Sequence, residues 1–298
     1  MKFDYSEAFS RNLGLISPAE QARIKDVRIA IAGMGGVGGV HLVTLLRMGF
    51  TKFTIADFDH FEIANFNRQF GASMDSLDRH KGEVMREIGL KINPEADIRL
   101  IGHALTSADI DDFLKDCSVF VDGIDVFEIQ IRRGIYARAR ELGLWSVCAG
   151  PIGFSTGWVV YDPQGMSFEE YCGFSTAKEE VDHFIAFVVA LTPSATHFSY
   201  LDPSYVSYSK RKGPSNMLAC QLCSGVVGAE VLKIILGRGT VRSAPAYHQF
   251  DAYLLKYKSG RVWFGGNGPW PRLKRWIVKQ RLKKMDESFD ERLRKISN

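Results

Sequence analysis

Apolar and polar positions along this chain follow two rhythms: short continuous apolar runs, and longer stretches with apolar residues three or four apart. The first short run, Val27-Arg28-Ile29-Ala30-Ile31-Ala32, is largely β-branched and reads as a buried strand. It stops at Gly33-Met34-Gly35-Gly36-Val37-Gly38-Gly39. Val40, Leu42, Val43, Leu45, Leu46 and Met48 then mark a helix that ends at Gly49. Lys52-Phe53-Thr54-Ile55-Ala56 is a second strand, closed by Asp57-Phe58-Asp59. The alternation continues with a helix over 79–90, a strand at 98–101, a short helix at 109–115, a strand at 119–121, a helix over 128–142 and a strand at 145–149. Strands alternating with helices predict an α/β fold with a Rossmann-like, doubly wound, mainly parallel sheet.

Outside that alternation the rhythm changes. Residues 4–25 read as polar and helical, with Ser17 as N-cap and Pro18 at the first helical position. From Gly150 onward helices no longer separate the strands, and Gly157-Trp158-Val159-Val160-Tyr161 predicts an antiparallel extension. Residues 162–216 are rich in Ser, Tyr and Pro and read as an irregular, substrate-binding region, since structureless stretches of that length in a compact domain are usually functional. Regularity returns with an apolar helix over 217–236, stopped by Gly237. At the end of the chain, Val278, Leu282, Met285, Phe289, Leu293 and Ile296 form one apolar helical stripe.

Charge sharpens the picture of that last segment. Lys and Arg number 38 against 34 Asp and Glu, a net +4. Residues 269–298 hold ten basic and four acidic residues, which leaves 28 basic and 30 acidic in the preceding 268. The body therefore lacks the cationic surface of a nucleic-acid-binding fold. The basic excess belongs to an appended amphipathic helix, for which packing on the body or a second copy, docking on an acidic partner and lying on an anionic membrane are the available uses. The longest apolar run, 184–191, is too short to span a bilayer, and the N-terminus carries no apolar stretch of a secretory signal. Five scattered cysteines suit a reducing, cytoplasmic setting rather than a disulfide framework.

Gly33, Gly35 and Gly38 match G-x-G-x-x-G at the junction of strand and helix. The first glycine permits a tight turn, the second lets backbone approach a phosphate, and the third lets helix and strand pack closely. The helix N-terminus adds N–H groups and partial positive charge for an anion. Asp57 follows Gly33 by 24 residues, where a ribose-binding carboxylate belongs. The pattern predicts nucleotide binding and leaves the nucleotide open.

The next segment narrows it. Asp57-Phe58-Asp59-His60-Phe61-Glu62-Ile63-Ala64-Asn65-Phe66-Asn67-Arg68-Gln69-Phe70 carries an acidic pair, two asparagines, an arginine and a glutamine that no Rossmann turn needs. Together with Phe9-Ser10-Arg11-Asn12-Leu13-Gly14, the glycine loop, Ile92-Asn93-Pro94, Asp122-Gly123-Ile124-Asp125 and 225–237, it resembles the ThiF-MoeB-HesA adenylation domains of the ubiquitin-activating-enzyme superfamily. The resemblance implies an ATP-dependent adenylyltransferase domain over 1–268, followed by the basic helix of 269–298. It implies activation of the C-terminal carboxylate of a small ubiquitin-like or sulfur-carrier protein, or of a peptide, as an acyl-adenylate with release of pyrophosphate. By the same resemblance Gly33, Gly35, Gly36, Gly38, Asp59 and Asn67 belong to the nucleotide site, and Asp57 binds the ribose hydroxyls. Asn65, Arg68 and Lys81 contact the phosphates, and Asp125 holds Mg²⁺. Arg11 reaches into the site of a partner subunit, so a homodimer is implied.

Departures from the family pattern qualify this. The Asn expected after Asp125 is Val126, which removes a polar contact on the ATP or metal side. Relatives often hold structural zinc with two Cys-x-x-Cys pairs. Here Cys172 is followed by Ser175 where its companion belongs, Phe264-Gly265-Gly266-Asn267 contains no ligand, and Cys220 and Cys223 form a lone pair, so no zinc is expected. The segment before the 217–236 helix, Tyr208-Ser209-Lys210-Arg211-Lys212-Gly213-Pro214-Ser215, lacks the cysteine of thioester-forming relatives, and Cys172 is the one substitute. Two other readings stay open: a catalytically idle member acting as a dimer partner, and an NAD(P)-dependent oxidoreductase.

Overall fold

Strand β1 (Arg28–Ala32) is the centre from which the fold is built. The others are β2 (Lys52–Ala56), β3 (Asp97–Ile101), β4 (Cys117–Asp122), β5 (Trp145–Ile152), β6 (Ser155–Tyr161), β7 (Ala246–Asp251) and β8 (Lys256–Arg261). In the computed structural model, which describes residues 2–297 with side chains through Lys295, they form one sheet in the order β3-β2-β1-β4-β5-β6-β7-β8. The pairs from β3 to β5 are parallel, and those from β5 to β8 are antiparallel. The doubly wound sheet and its antiparallel extension are thus both present.

The ten helices are α1 (Tyr5–Ala8), α2 (Pro18–Asp26), α3 (Gly38–Arg47), α4 (Lys81–Ile92), α5 (Ile110–Leu114), α6 (Ile129–Glu141), α7 (Phe168–Cys172), α8 (Glu180–Leu191), α9 (Met217–Leu236) and α10 (Pro269–Ser297), counted among the described residues. They cover both faces of the sheet. Ile29 and Ile31 of β1, with Val119 and Val121 of β4, point to the face under α3, α4 and α9. Ala30, Ala32 and Phe120 point to the face under α5, α6, α7 and α8. Both faces being covered is why these strands read as continuous apolar runs instead of alternating ones.

Three expectations need correction. Residues 4–25 are not one helix: α1 gives way to a 3-10 turn (Ser10–Asn12), and Gly14 at φ +100° turns the chain before α2. Ser17 does cap α2, in a reciprocal box with Glu20. Residues 162–216 contain α7 and α8, so the region is not simply irregular. Helix α8 was illegible because its apolar residues run all round it and leave no polar face for contrast. The longest apolar helix is α9, not 184–191: its 20 residues reach a mean hydropathy of 1.6, enough by length and composition to cross a membrane. Its small residues hid this, and in the fold it lies against α3, β5 and β6 with Val227 and Val231 fully buried.

The terminal stripe packs on the body. Val278, Leu282 and Met285 of α10 meet Ile185 and Val189 of α8, and Phe289 is buried further along. Leu293 is 40% exposed, and the side chain of Ile296 lies outside the described residues.

Candidate functional site

The carboxyl ends of β2, β1, β4 and β5 open into one cavity of about 820 Å³. It sits where the chain order of the sheet reverses between β1 and β4, the place where open α/β sheets bind ligands.

The glycine loop forms its floor. Gly33 has φ +85°, and a Cβ there would lie 2.2 Å from the carbonyl oxygen of Gly123. A Cβ on Gly38 would lie 1.7 Å from the Gly33 oxygen, so this glycine serves helix–strand contact and does not line the cavity. Gly35 and Gly36 do line it. Helix α3 starts there with no side-chain cap; the Gly39 N–H turns back to the Gly35 carbonyl at 3.3 Å, and the helix end still presents its partial positive charge to an anion.

Asp57 closes the end of β2. Its Oδ2 accepts the Met34 N–H at 2.6 Å and its Oδ1 accepts the Asp59 N–H at 2.8 Å, which ties the glycine loop to the strand. Burial raises its pKa, partly offset by those N–H groups and by Lys81. Lys81 Nζ donates to Asp59 Oδ2 at 3.0 Å, and its backbone N–H donates to the Asp59 carbonyl at 2.8 Å. Arg68 also lines the cavity, donating to the Ala64 carbonyl at 2.8 Å and to Asn67 Oδ1 at 3.0 Å, with no ion-pair carboxylate among the described residues. Gln69, the glutamine of the same motif, is buried beside Gly35 with an unpartnered Oε1. Two cations and an uncapped helix start fit a polyanion, and the orphaned Gln69 oxygen, an acceptor, suits an N–H or O–H of a nucleotide rather than its phosphates.

Asp125 stands on the cavity wall at the end of β4, its Oδ1 accepting the Phe127 N–H at 2.9 Å. The loop that carries it is built around Arg132, a residue the sequence did not single out. Arg132 is 2% exposed and pairs through Nε with Asp122 Oδ2 at 2.8 Å. Its two terminal nitrogens donate to the carbonyls of Ile124, Asp125 and Glu128, and its guanidinium lies 4.4 Å from the Phe187 ring centroid. Val126 also lines the cavity, packed on the apolar cluster beneath.

Other expected residues fall outside the wall. Asn65 is buried, its Oδ1 accepting the Glu62 N–H at 3.0 Å in a local cap. Asn67 Nδ2 donates to the Ser215 carbonyl at 2.8 Å and so fastens the segment before α9. Arg11 is exposed in its 3-10 turn, away from this cavity. Cys172 is buried away from the cavity, and burial raises its thiol well above the ordinary range, which removes it as a substitute nucleophile. Burial likewise pushes Cys220, beside Gly36, up to about 11.

The segments around Ser175 and Asn267, which the sequence resemblance compared with Cys-x-x-Cys pairs, do meet. Asn267 Nδ2 donates to Ser175 Oγ at 2.9 Å, Thr176 Oγ1 donates to Asn267 Oδ1 at 3.0 Å, and Arg275 bridges the carbonyls of Gly173 and Gly266. Among the described residues no group of three or more His, Cys, Asp or Glu is placed to hold a metal ion.

The loop Lys210-Arg211-Lys212 joins the cavity wall through Arg211 and Lys212. Arg211 pairs with Glu128 and lies 5.2 Å from the Phe127 ring centroid. Asp286 of α10 anchors the loop from behind, accepting Ser207 Oγ at 2.5 Å, Ser209 Oγ at 3.0 Å and the Ser209 N–H at 3.2 Å.

Comparison with known proteins agrees with this geometry. A model of the ThiF family matches residues 9–263. The tRNA threonylcarbamoyladenosine dehydratase of Haemophilus influenzae is 27% identical over 145 residues, covering 48% of this chain and 56% of that protein. The sulfur carrier protein ThiS adenylyltransferase of Bacillus subtilis is 27% identical over 143 residues, covering 47% and 43%. The chain spans about half the length of these relatives. The crystal structure of E. coli MccB with ATP superposes with a TM-score of 0.66 at 19% identity, over 90% of this chain and 73% of that one, a likeness of fold.

Proposed function

The chain belongs to the ThiF family, and from that premise we propose that it is an ATP-dependent adenylyltransferase that activates a carboxylate. The observation that supports this best is the convergence of the uncapped α3 start, Arg68, Lys81 and Asp125 on one cavity. A carboxylate oxygen attacks the α-phosphorus of ATP, the bond to the β-phosphate oxygen breaks, and pyrophosphate leaves with the electron pair. Two anions must approach while charge grows on the leaving group, so positioned cations do most of the work. Arg68 and Lys81 bind the phosphates, the α3 start faces the phosphate nearest the glycine loop, and Asp57 and Asp59 meet the ribose. Asp125 is the carboxylate that would hold Mg²⁺, which when bound neutralises phosphate charge; one carboxylate plus substrate phosphates is a usual Mg²⁺ environment.

The carboxylate belongs to the C-terminus of a small carrier protein or a peptide. An RNA substrate is disfavoured by the 30 acidic against 28 basic residues of positions 1–268. With its thiols buried, the protein hands the acyl-adenylate to an external nucleophile instead of forming a thioester itself. Arg11 acts across a homodimer, and free cysteines suit the cytoplasm. Exchange of labelled pyrophosphate into ATP, dependent on a peptide with a free C-terminus and abolished by amidating it, tests the reading. Arg68→Ala lowers exchange about 100-fold or more; exchange that ignores both the carboxylate and Arg68 refutes it.

A further inference from the structure

The cavity wall is mainly polar at β2, β1 and β4 and mainly apolar at β5 and α8, with Arg132, 4.4 Å from the Phe187 ring, and Arg211, 5.2 Å from the Phe127 ring, at the boundary. Asp57 and Asp59 stand at the end of β2, the glycine loop at β1 and Asp125 at β4. The wall then continues to β5, about 14 Å from β2 at ordinary strand spacing. From Cys148 to Leu201 no residue of the wall carries an acidic or basic side chain except His197. That imidazole is buried and pushed down to about 4 by burial, so it is neutral at physiological pH. Phe184, Phe187, Val188 and Leu191 of α8 supply the roof, joined by Leu201 and by Leu282 of α10. The roof is locked: Phe184 stacks on Phe127 at 5.0 Å, and the missing side chain of Gly150 is what lets Leu191 sit against β5.

A nucleotide with its ribose at Asp57 and its phosphates at Arg68 and Lys81 leaves this apolar end empty. The reacting carboxylate must come from there, because it is the side of Asp125 away from the ribose. A glycine tail, without a side chain, leaves those aromatic and aliphatic walls wet, at a cost proportional to the apolar area left exposed.

We propose that the end of the cavity under α8 is an acyl chamber that takes a bulky apolar group on the carbon bearing the reacting carboxylate. A peptide ending in Leu or Phe and a free branched-chain or aryl acid both present that chemistry. This inference rests on the adenylation reading and specifies its substrate.

The test is pyrophosphate exchange by the full-length protein with MgATP and a panel of peptides identical except for a C-terminal Gly-Gly, Asn, Asp, Leu or Phe, alongside 4-methylpentanoic and phenylpropanoic acids. Leu or Phe ends exceed Gly and Asp ends at least 10-fold in kcat/KM, as expected for an apolar pocket. Activity with the free acids equal to the peptides identifies the small acid as the source and keeps the chamber. Highest activity with Gly-Gly, Asn or Asp overturns the chamber and leaves adenylation standing. If no carboxylate supports exchange, the adenylation reading fails. The chamber is then decided by saturation-transfer NMR of N-acetyl-leucine against N-acetyl-glycine. A leucine methyl signal lost in Val188→Trp supports it, and equal or absent signals overturn it. Val188 is only half-buried, so the larger side chain projects into the cavity without displacing the α8 core.

Discussion

Replacing Arg132 with Met removes a charge from a place where no water compensates for it. Arg132 and its partner Asp122 have side chains 2% and 1% exposed. After the substitution Asp122 keeps the Tyr136 hydroxyl at 3.0 Å and the Ile124 N–H at 3.1 Å but loses its counter-charge. The carbonyls of Ile124, Asp125 and Glu128 lose their donor as well. Breaking one side of a buried pair costs about 3–5 kcal/mol. For a chain of this size that lowers Tm by roughly 5–8 °C. The double substitution Arg132→Met with Asp122→Asn removes both charges, and recovers about half of the loss because the carbonyls stay unpaired. Differential scanning fluorimetry of both variants and of Asp122→Asn alone closes the cycle. The Asp125 loop hangs on these same bonds, so MgATP affinity falls in Arg132→Met even well below its Tm. A Tm within 2 °C of wild type, or a double variant no better than the single one, would refute the reasoning.

Two further outcomes follow from the structure. His41 is fully buried with both ring nitrogens unpartnered, and burial depresses its pKa from 6.5 to about 3. The unfolded chain takes up a proton below pH 6.5 while the folded one does not, so stability is intact above 6.5 and falls as pH drops towards 3. Between pH 6.5 and 5 this group removes roughly 2 kcal/mol, and urea titrations of His41→Leu lack that part of the acid loss; an unchanged pH dependence contradicts this. Asp286→Ala frees the loop at Ser207 and Ser209, so trypsin cuts at Lys210, Arg211 or Lys212 several-fold faster than in wild type, and equal rates would show that α10 does not hold the loop.

Much of the first 150 residues was legible because each feature there is local. A glycine at φ +85°, an aspartate at the end of a strand and a Ser–Glu capping box leave marks within a few residues of themselves. The region after Gly150 was harder to read, since α8 has no polar face and the 3-10 turns at Thr196–Ser199 and Pro203–Tyr205 are held by contacts far along the chain. Arg132 looked like an ordinary helix residue. Only its burial and the direction of its polar atoms mark it out, and neither is written in spacing.

By itself, then, the sequence determined the parallel core, the glycine loop and several of the charged residues that line the cavity. Backbone conformation and strand burial follow from near neighbours, and those neighbours are contiguous. The tertiary structure decided which of the candidate residues share a wall, how the Asp125 loop is held, and that the basic tail lies on α8 and steadies a loop of the cavity wall. The placing of the tail depends on side chains brought together across the chain, such as Ser207 with Asp286, which lie 79 apart, while the Asp125 loop is held by Arg132 from four to ten residues away, in a position that the fold buries. Long-range packing of that kind is set by the shape of the whole fold and has no period that a sequence can display.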